Sequence, residues 1–206
     1  TLKLIDLKIN KLSQKRKSIS QRIFLNNENS FCEFKKLGEL ADFYSGRAFK
    51  SSELSNDGIK ITRISNLHKP KFPYWRFKGE YSHKIIAKNG DILFSWAGVA
   101  TSINIHRYKG EDTLLNQHIY NFKFHNELMK EWTFYYVRYF LPTLRTQIEG
   151  GAGQLHLTKG DVQGIKIPML STHFMENCIL LLKNIDKKIF NYQMKRSKIS
   201  LLKNGL

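Results

Sequence analysis

Hydrophobic side chains recur at alternating steps of three and four residues near both ends of the chain. In the N-terminal stretch they are Leu2, Ile5, Ile9, Leu12, Ile19 and Ile23, with Arg16 as the one polar member. In the C-terminal stretch they are Leu181, Ile185, Ile189, Tyr192, Ile199 and Leu202, with Arg196 in the equivalent place. This spacing is typical of the a/d seam of a coiled coil. It predicts one long helix over about residues 2–24 and a second over about 172–204.

The two seams belong to a repeated segment. At a constant offset of 180 residues the second copy has the same residue type as Ile5, Asp6, Lys8, Ile9, Lys15, Arg16, Ile19 and Ser20. Eight identities in seventeen gapless positions exceed what two unrelated lysine-rich helices would share, so the chain predicts two copies of one helix around a folded middle. Two successive four-residue steps, at 181–185 and 185–189, indicate a stutter in the second copy.

The connection of these helices to the middle segment predicts how they pack. The first helix enters the folded middle and the second leaves it, so we expect an antiparallel coiled coil, seam to seam. The alternative is two ordinary amphipathic helices on the body of a domain. In an antiparallel pair Arg16 and Arg196 lie at different heights, and each needs its own carboxylate, carbonyl or open end. We favour a second molecule, or a missing other half of the protein, as the source of these partners; it would extend the helix pair into a bundle.

The middle of the chain predicts an α+β domain with a mixed or antiparallel sheet. Alternating β-branched and aromatic runs predict its strands, at 41–47, 59–65, 91–96, 98–106, 114–124 and 161–170, and residues 34–40 are a candidate for a short strand and turn. Asn126 is the expected N-cap of a helix over about 127–140, which Pro142 should interrupt. Residues 50–58 read as a polar loop, and residues 150–153 as a flexible turn. The predicted organisation is therefore a spacer helix at 1–26, a domain at 27–171 and a second spacer helix at 172–206.

The charge distribution indicates a polyanionic partner. The chain has a formal net charge of +17, which favours nucleic acid or another acidic surface. Residues 1–24 carry seven basic side chains against one acidic, so the helices hold much of the charge density. Cys32 and Cys178 lack metal-ligand spacing and predict a reducing compartment. We find no signal peptide and no apolar run long enough to span a membrane, so we expect a soluble cytoplasmic protein without membrane contact.

The sequence shows none of the common enzyme motifs. We find no Walker A loop, no G-x-G-x-x-G, no G-x-S-x-G and no H-E-x-x-H, and the seven histidines stand singly. We therefore expect neither a catalytic centre nor a metal site.

Four stretches place basic, amide and hydroxyl side chains on predicted turns. Arg, Asn and Gln can each make two hydrogen bonds to a base edge, while Ser, Thr and Lys hold phosphates. Glycines such as Gly46, Gly98 and Gly153 would let the backbone approach a duplex. The alternative is that these stretches are ordinary solvated loops. The candidate DNA-binding residues are Ser45, Arg47, Lys50, Arg63, Ser65, Asn66, Trp96, Gln154, His156, Thr158 and Lys159.

These stretches carry a family resemblance. The segments SGRAF, ITRISNL, NGDILFS, LNQHI and GAGQLHLTKGDVQGIKIPML occur in this order. Together with the flanking repeat they resemble a target-recognition domain, with its helical spacers, of the specificity subunit of type I restriction-modification systems. The resemblance covers essentially the whole chain. A full specificity subunit has two such domains, so this chain resembles a half subunit, a truncated product or the C-terminal half of a longer protein.

The resemblance implies a non-catalytic DNA-recognition role. The chain would read one half of a split target in double-stranded DNA, while the helix pair acts as a ruler and docks partners. Those partners would be methyltransferase subunits, which bind S-adenosylmethionine, and possibly the motor-nuclease subunit; this chain itself would bind no cofactor. A half subunit could also form a homodimer. The alternative from another class is a nonspecific basic coiled-coil scaffold for nucleic acid or a membrane surface.

Overall fold

The computed structural model describes residues 1–25, 33–148, 155–203 and 205. The chain divides into two compact units. One unit combines Thr1–Phe34 with Pro168–Leu206 and contains the two long helices. The other, Lys35–Ile167, contains nearly all of the strands, and we call it the recognition unit after the target-recognition domain that its sequence resembles.

The helices and strands follow in chain order. They are α1 Leu2–Leu25, β1 Glu33–Lys36, α2 Leu37–Leu40, β2 Ala41–Ser45, β3 Leu54–Thr62, α3 Ile64–His68, β4 Trp75–Phe77, β5 Ile86–Ala87, β6 Ile92–Ser95, β7 Ala97–Gly98, β8 Asn104–Arg107, β9 Thr113–Leu115, β10 Ile119–Phe124, α4 Glu127–Ile148, β11 Leu155–His156, α5 Lys159–Gln163, β12 Lys166–Met169 and α6 Thr172–Lys203. Three single turns of 3₁₀ helix lie at Ser51–Glu53, His83–Ile85 and Ala100–Ser102. The mixed α+β class expected from the sequence is confirmed.

Helices α1 and α6 pack antiparallel, as the sequence predicts. The guanidinium of Arg16 donates to the Asp186 carboxylate at 2.7 Å, and that of Arg196 donates to the Asp6 carboxylate. Residue numbers therefore rise along one helix as they fall along the other. Both seam arginines find a carboxylate within the chain, so the second molecule that we favoured as their partner is not required.

Burial along the two helices follows the predicted seam at nine of its ten central positions. Ile5, Ile23, Ile185 and Ile189 are buried, and five further positions are partly buried. Those five are Ile9, Leu12, Ile19, Tyr192 and Ile199. At the two outermost positions, Leu2 is partly buried and Leu202 is exposed, so the seam ends before Leu202.

Leu181 is the central exception, and its placement on the seam was wrong. Its side chain is 46 % exposed, whereas Leu182 is fully buried. With Leu182 in the seam, the steps from Met175 to Ile199 alternate between three and four residues without interruption, so the predicted stutter is also wrong. Adjacent leucines hide this choice in the sequence, because either one completes a hydrophobic stripe.

The repeated residues fix the orientation of the helix pair. Asp6 and Asp186 are equivalent at the offset of 180, and so are Arg16 and Arg196. Each aspartate pairs with the arginine of the other copy, which gives the pair an internal two-fold symmetry. A parallel, in-register pairing would instead oppose aspartate to aspartate and arginine to arginine, which is unfavourable. The same ten-residue spacing in both copies thus favours the antiparallel arrangement.

The recognition unit contains two four-stranded sheets. One has the order β2-β10-β6-β8 with every pair antiparallel. The other has the order β4-β3-β9-β5, in which β3 and β9 are parallel. The side chains of Phe49, Ile61, Phe77, Ile85 and Leu114 form a core cluster on the second sheet.

Residues 50–58, predicted to be a polar loop, form instead a 3₁₀ turn and the first half of β3. Leu54 and Ile59 both face Phe77 of β4 across an irregularity in the ladder. Both side chains pack on the core cluster, and this apolar contact draws the polar residues between them into the strand.

Helix α4 begins as predicted and ends later. Asn126 Oδ1 accepts from the Met129 backbone N–H at 2.9 Å, as an N-cap does. The predicted interruption at Pro142 is wrong, because the helix runs through it to Ile148. Pro142 is exposed, so water can replace the intrahelical bond it lacks. Beyond it, Arg145 holds the helix by donating to the Ile103 carbonyl at 2.8 and 3.1 Å.

Candidate nucleic-acid interface

The turn Leu115–His118 brings together the four stretches selected from the sequence. It links β9 to β10 and closes on itself through the Ile119 N–H, which donates to the Asn116 carbonyl at 3.1 Å. Backbone bonds then join it to two of the stretches, and to Thr62 directly before the stretch Arg63–Asn66. Arg47 N–H donates to Leu115 O at 3.0 Å, Asn116 N–H to Thr62 O at 3.0 Å, and Trp96 N–H to His118 O at 3.3 Å.

The fourth stretch joins the others through Trp96. The Leu157 N–H donates to the Trp96 carbonyl at 3.1 Å, and β11 pairs with β7 directly after that tryptophan. Segments separated by more than a hundred residues in sequence therefore surround one four-residue turn. We call this surface the reader surface: the turn Leu115–His118 together with Ser45–Arg47, Arg63–Asn66, Trp96–Gly98 and Leu157–Lys159.

Gly46 is required by the protein rather than by a ligand. A Cβ atom at this position would overlap the backbone carbonyl oxygens of Leu115 and Asn116. The Gly46 N–H also donates to the Ile119 carbonyl at 3.0 Å. Close approach of two protein segments is thus enough to require a glycine here, while its expected approach to DNA stays a prediction.

The Arg47 side chain is held by contacts within its own stretch of the chain. Its guanidinium bonds to Glu53 at 2.8 Å and lies 4.1 Å from the ring centroid of Phe49. Hydrogen bonds from the Lys50 backbone and the Arg47 side chain lower the pKa of Glu53, so the pair is ionised at neutral pH. The side chains of Ser45 and Lys50 are exposed. In this stretch, Ser45 and Lys50 are thus the candidates open to a ligand.

Arg63 and Asn66 anchor a neighbouring loop. The Arg63 guanidinium lies 4.0 Å from the Trp75 ring centroid and donates to the Pro73 carbonyl at 2.8 Å. Burial lowers the pKa of Arg63. Asn66 is only 2 % exposed; its Oδ1 accepts from the Arg63 N–H, and its amide donates to the Phe72 carbonyl. Both residues were predicted as DNA contacts; in this conformation the Arg63 guanidinium bonds to the protein through one nitrogen, and the Asn66 amide bonds to the protein through both of its polar atoms.

The loop that these two residues hold is basic and was missed. Lys69 and Lys71 are exposed, and between them and Pro73 the Phe72 ring is 42 % exposed. The Phe72 N–H donates to the Lys69 carbonyl at 2.8 Å, which fixes a tight turn. The available signal was the pair of lysines around Pro70.

Trp96 lies partly exposed at the centre of the surface. Its ring stacks on Tyr120, with centroids 5.6 Å apart, and meets the His118 ring edge-on at 5.1 Å. Next to it Gln117 donates to the His118 ring at 3.2 Å, while its buried Oε1 has no hydrogen-bond partner among the described residues. Gln117 and His118 are part of the LNQHI segment that carried the resemblance, yet they were not among the predicted site residues.

The last stretch divides between structural and exposed side chains. Thr158 caps α5: its Oγ1 accepts from the Asp161 N–H at 3.1 Å and donates to the Asp161 carboxylate at 2.6 Å. These bonds lower the pKa of Asp161. Lys159 and the partly exposed Ser65 remain open to a ligand. Gln154 and the side chain of His156 lie outside the described residues.

A polar cluster lies beside the surface, under the 3₁₀ turn Ala100–Ser102. Ser95 Oγ donates to the Ser102 carbonyl at 2.6 Å and lies 3.2 Å from His106 Nε2. Burial, with smaller contributions from His68 and Arg145, lowers the pKa of His106 to about 3. His106 is therefore a neutral, structural imidazole at physiological pH.

The part of the chain that the structure describes contains neither a metal cluster nor a membrane span. Within it, no group of three or more His, Cys, Asp or Glu side chains is placed to hold a metal ion. None of the described helices is long and apolar enough to cross a membrane.

Known proteins share both the sequence pattern and the fold. The family model of the type I restriction modification DNA specificity domain matches residues 29–189. The type I restriction enzyme MjaVIII specificity subunit of Methanocaldococcus jannaschii is 29 % identical in an alignment 171 residues long that covers 76 % of this chain and 40 % of that protein.

Two solved structures share the fold at low sequence identity. The HsdS subunit from Thermoanaerobacter tengcongensis aligns with a TM-score of 0.64 and 16 % identity, over 97 % of this chain and 50 % of its own. The type I restriction-modification S subunit from M. genitalium aligns with a TM-score of 0.68 and 17 % identity, over 99 % of this chain and 57 % of its own. The chain thus spans about half the length of these relatives, and it belongs to the family of type I restriction modification DNA specificity domains.

Proposed function

We propose that this chain reads one half of a split DNA target within a type I restriction-modification complex. The observation that carries the proposal is the assembly of four separate stretches around the turn Leu115–His118, the fourth of them through its bond to Trp96. A surface assembled from several loops on two sheets can vary its exposed side chains while its backbone contacts hold the loops in place. Such an arrangement suits a family whose members recognise different sequences.

The contacts divide the reader surface into holding and reading side chains. Arg47, Arg63, Asn66 and Thr158 bond to the protein and hold the loops. The side chains that we propose for DNA contact are Ser45, Ser65, Trp96, Gln117 and Lys159 of this surface, the neighbouring Lys50, Lys69 and Lys71, and Gln154 and His156 from the predicted set. Among these, Gln117 carries an amide of the kind that suits adenine; to reach a base it would have to turn away from the His118 ring to which it donates here. The lysines suit phosphates.

The chemistry of modification would come from partner subunits. Methyltransferase subunits would dock on the helix pair and supply S-adenosylmethionine, and a motor-nuclease subunit would join them in the full complex. Exposed apolar side chains on the outer faces of the helices, such as Leu7, Phe190 and Met194, support such docking. Purified alone, the chain is expected to transfer no label from S-adenosylmethionine to DNA; transfer by the chain alone would contradict this division of labour.

Selection from a random duplex library with the purified chain tests the reading role. We expect enrichment of one short motif. Gln117→Ala should relax the preference by about 1–3 kcal/mol at one position of that motif. Asn89→Ala, an exposed amide in the turn before β6 and outside the reader surface, is the matched control and should leave the motif unchanged. Failure to enrich any motif, or equal effects of the two substitutions, would overturn the proposal.

A further inference from the structure

A lysine-rich groove lies between α1 and α6 at the centre of their internal symmetry. Its volume is about 660 Å³, and both helices contribute four residues to it. They are Lys8, Lys11, Leu12 and Lys15 of α1, and Lys188, Asn191, Tyr192 and Lys195 of α6. The two sets occupy the same four positions of the repeat, at the offset of 180, and the lysines at the first and last of these positions are the same in both copies. We call this feature the lysine groove.

Five lysines line the groove, without a carboxylate among the described residues that line it. The nearest acidic residues in sequence, Asp6 and Asp186, are each bonded to an arginine. Lysines at i, i+3 and i+7, as at Lys8, Lys11 and Lys15, repel one another and weaken a helix. The pattern therefore costs stability in the isolated chain, and an external anion would relieve it.

The floor and the spacing of the groove describe the ligand that it fits. Leu12 and Tyr192 are partly exposed, and the Lys8 ammonium lies 5.5 Å above the Tyr192 ring. Lys8 and Lys15 are separated by about 10 Å along α1, and Lys188 and Lys195 by the same distance along α6. The ligand must therefore present negative charge over more than a single phosphate, on both sides of a two-fold axis.

We propose that the lysine groove binds the phosphate backbone of duplex DNA independently of base sequence. The strands of a duplex are antiparallel and related by local dyads, so a two-fold set of cations can meet both strands in the same way. Lysine is a point charge that suits phosphate, and contacts to phosphate carry no base information. The groove adds affinity rather than sequence preference, and so it is separate from the reading role of the recognition unit.

An acidic helix of a protein partner is the competing occupant. Helices that join a coiled-coil pair pack through apolar side chains. The large exposed apolar side chains of this helix pair, including Leu7, Phe190 and Met194, lie outside the groove. The groove offers a partner helix only Leu12 and Tyr192 among five lysines. This separation assigns protein docking to other faces and leaves the groove for a polyanion.

The experiment compares two charge-matched variants of the full chain. One replaces the five groove lysines: K8Q/K11Q/K15Q/K188Q/K195Q. The control replaces five exposed lysines on the same helices outside the groove: K3Q/K17Q/K187Q/K198Q/K203Q. Circular dichroism checks that each variant keeps its helicity. If a quintuple variant does not fold, the double variant K15Q/K195Q and its control K17Q/K198Q replace the two quintuple variants. Fluorescence anisotropy then measures binding to a duplex of random sequence from about 50 to 200 mM salt.

The groove variant should bind random duplex more weakly and depend less on salt. The slope of log affinity against log salt should fall by about 0.9 for each phosphate that is no longer neutralised, and affinity at 0.1 M salt should fall by about eightfold per phosphate. The control should show clearly smaller reductions in both quantities. Equal reductions in both variants would show only general charge attraction and overturn the groove; so would unchanged affinity in the groove variant.

Library selection with the groove variant separates this proposal from the proposed function. If both are right, the variant binds more weakly and still enriches the motif of the unmodified chain. If the unmodified chain enriches no motif but the groove variant still loses affinity and salt dependence, the reading role fails and the groove stands. Tight binding of an acidic helical peptide by the groove, with DNA affinity unchanged by the substitutions, would assign it to a protein partner instead.

Discussion

Exchanging the charges of one ion pair tests the symmetric pairing of α1 and α6. The perturbation is Asp186→Arg, which opposes two guanidinium groups, followed by Arg16→Asp in the same chain, which restores an ion pair with its polarity reversed. The Arg16 and Asp186 side chains are 24 % and 27 % exposed. The second pair, Arg196 with Asp6, is 50 % and 44 % exposed and provides a matched control with weaker coupling.

The expected magnitude follows from burial and distance. An exposed ion pair contributes up to about 1 kcal/mol, and the Arg16 pair, three-quarters covered, should lie at the upper end of that range. Asp186→Arg removes this attraction and adds repulsion of similar size, so it should destabilise the helix pair by about 2 kcal/mol. Arg16→Asp should do the same, and the double variant should return to within about 0.5 kcal/mol of the unmodified chain.

Urea unfolding followed by circular dichroism at the helical band measures these effects. The double-mutant cycle should give a large, favourable coupling energy for Arg16 with Asp186 and a smaller one for Arg196 with Asp6. Additive losses, with no recovery in the double variant, would show that the two side chains do not interact. The antiparallel register deduced from them would then be wrong.

Three further substitutions test the core, the reader surface and a buried histidine. Leu182→Ala should cost about 2–4 kcal/mol in urea unfolding, while Leu181→Ala next to it should cost under about 0.5 kcal/mol; the reverse order would restore the stutter. Gly46→Ala should cost about 3 kcal/mol or more because its Cβ meets backbone, whereas Gly160→Ala, with open space in α5, should be tolerated; equal costs would refute the close approach. His106 has a folded-state pKa of about 3, below its unfolded value, so the unfolded chain takes up the proton first and stability falls as pH drops below about 6.5. His106→Gln should remove about 2 kcal/mol of the loss between pH 7 and pH 5, measured by urea unfolding at both; an unchanged pH dependence would contradict the buried neutral imidazole.

The helical part of the fold could be predicted because its signals are local and periodic. The seam spacing located both long helices, and the repeat gave their relation at the offset of 180. The placement of Leu181 in the seam was wrong because either of two adjacent leucines completes the same hydrophobic stripe. Only packing decides which of them is buried. The prediction that Pro142 interrupts α4 was wrong because a proline need not end a helix when contacts hold the chain beyond it. Here Arg145 provides such a contact by bonding to the Ile103 carbonyl.

The candidate site could be predicted by segment but not by side chain. Turn residues and the family resemblance selected stretches that the fold does bring together around Leu115–His118. Which side chains remain available depends on contacts made far away in sequence. Arg63 stacks on Trp75, and Asn66 bonds to the carbonyl of Phe72, so side chains with the right chemistry for bases serve the protein instead.

The short helices α3 and α5 were missed because a capping side chain starts each helix where the hydrophobic pattern predicts a strand. Helix α3 follows a strand directly, and the Asn66 side chain closes its first turn. Helix α5 begins at a reciprocal cap between Thr158 and Asp161. The T-x-x-D spacing of that cap was present in the sequence, but the apolar alternation around it favoured a strand.

The most direct test of the central claim is a transplant of the recognition unit. Residues 35–167 would be exchanged for the equivalent segment of a related specificity subunit, with both helices kept, in cells that carry the methyltransferase subunits. Methylated positions would then be mapped across the genome. We expect one half of the split methylated sequence to change to that of the donor while the other half and the spacing stay the same. An unchanged methylated sequence, or a change in spacing alone, would contradict the claim that this unit reads the DNA.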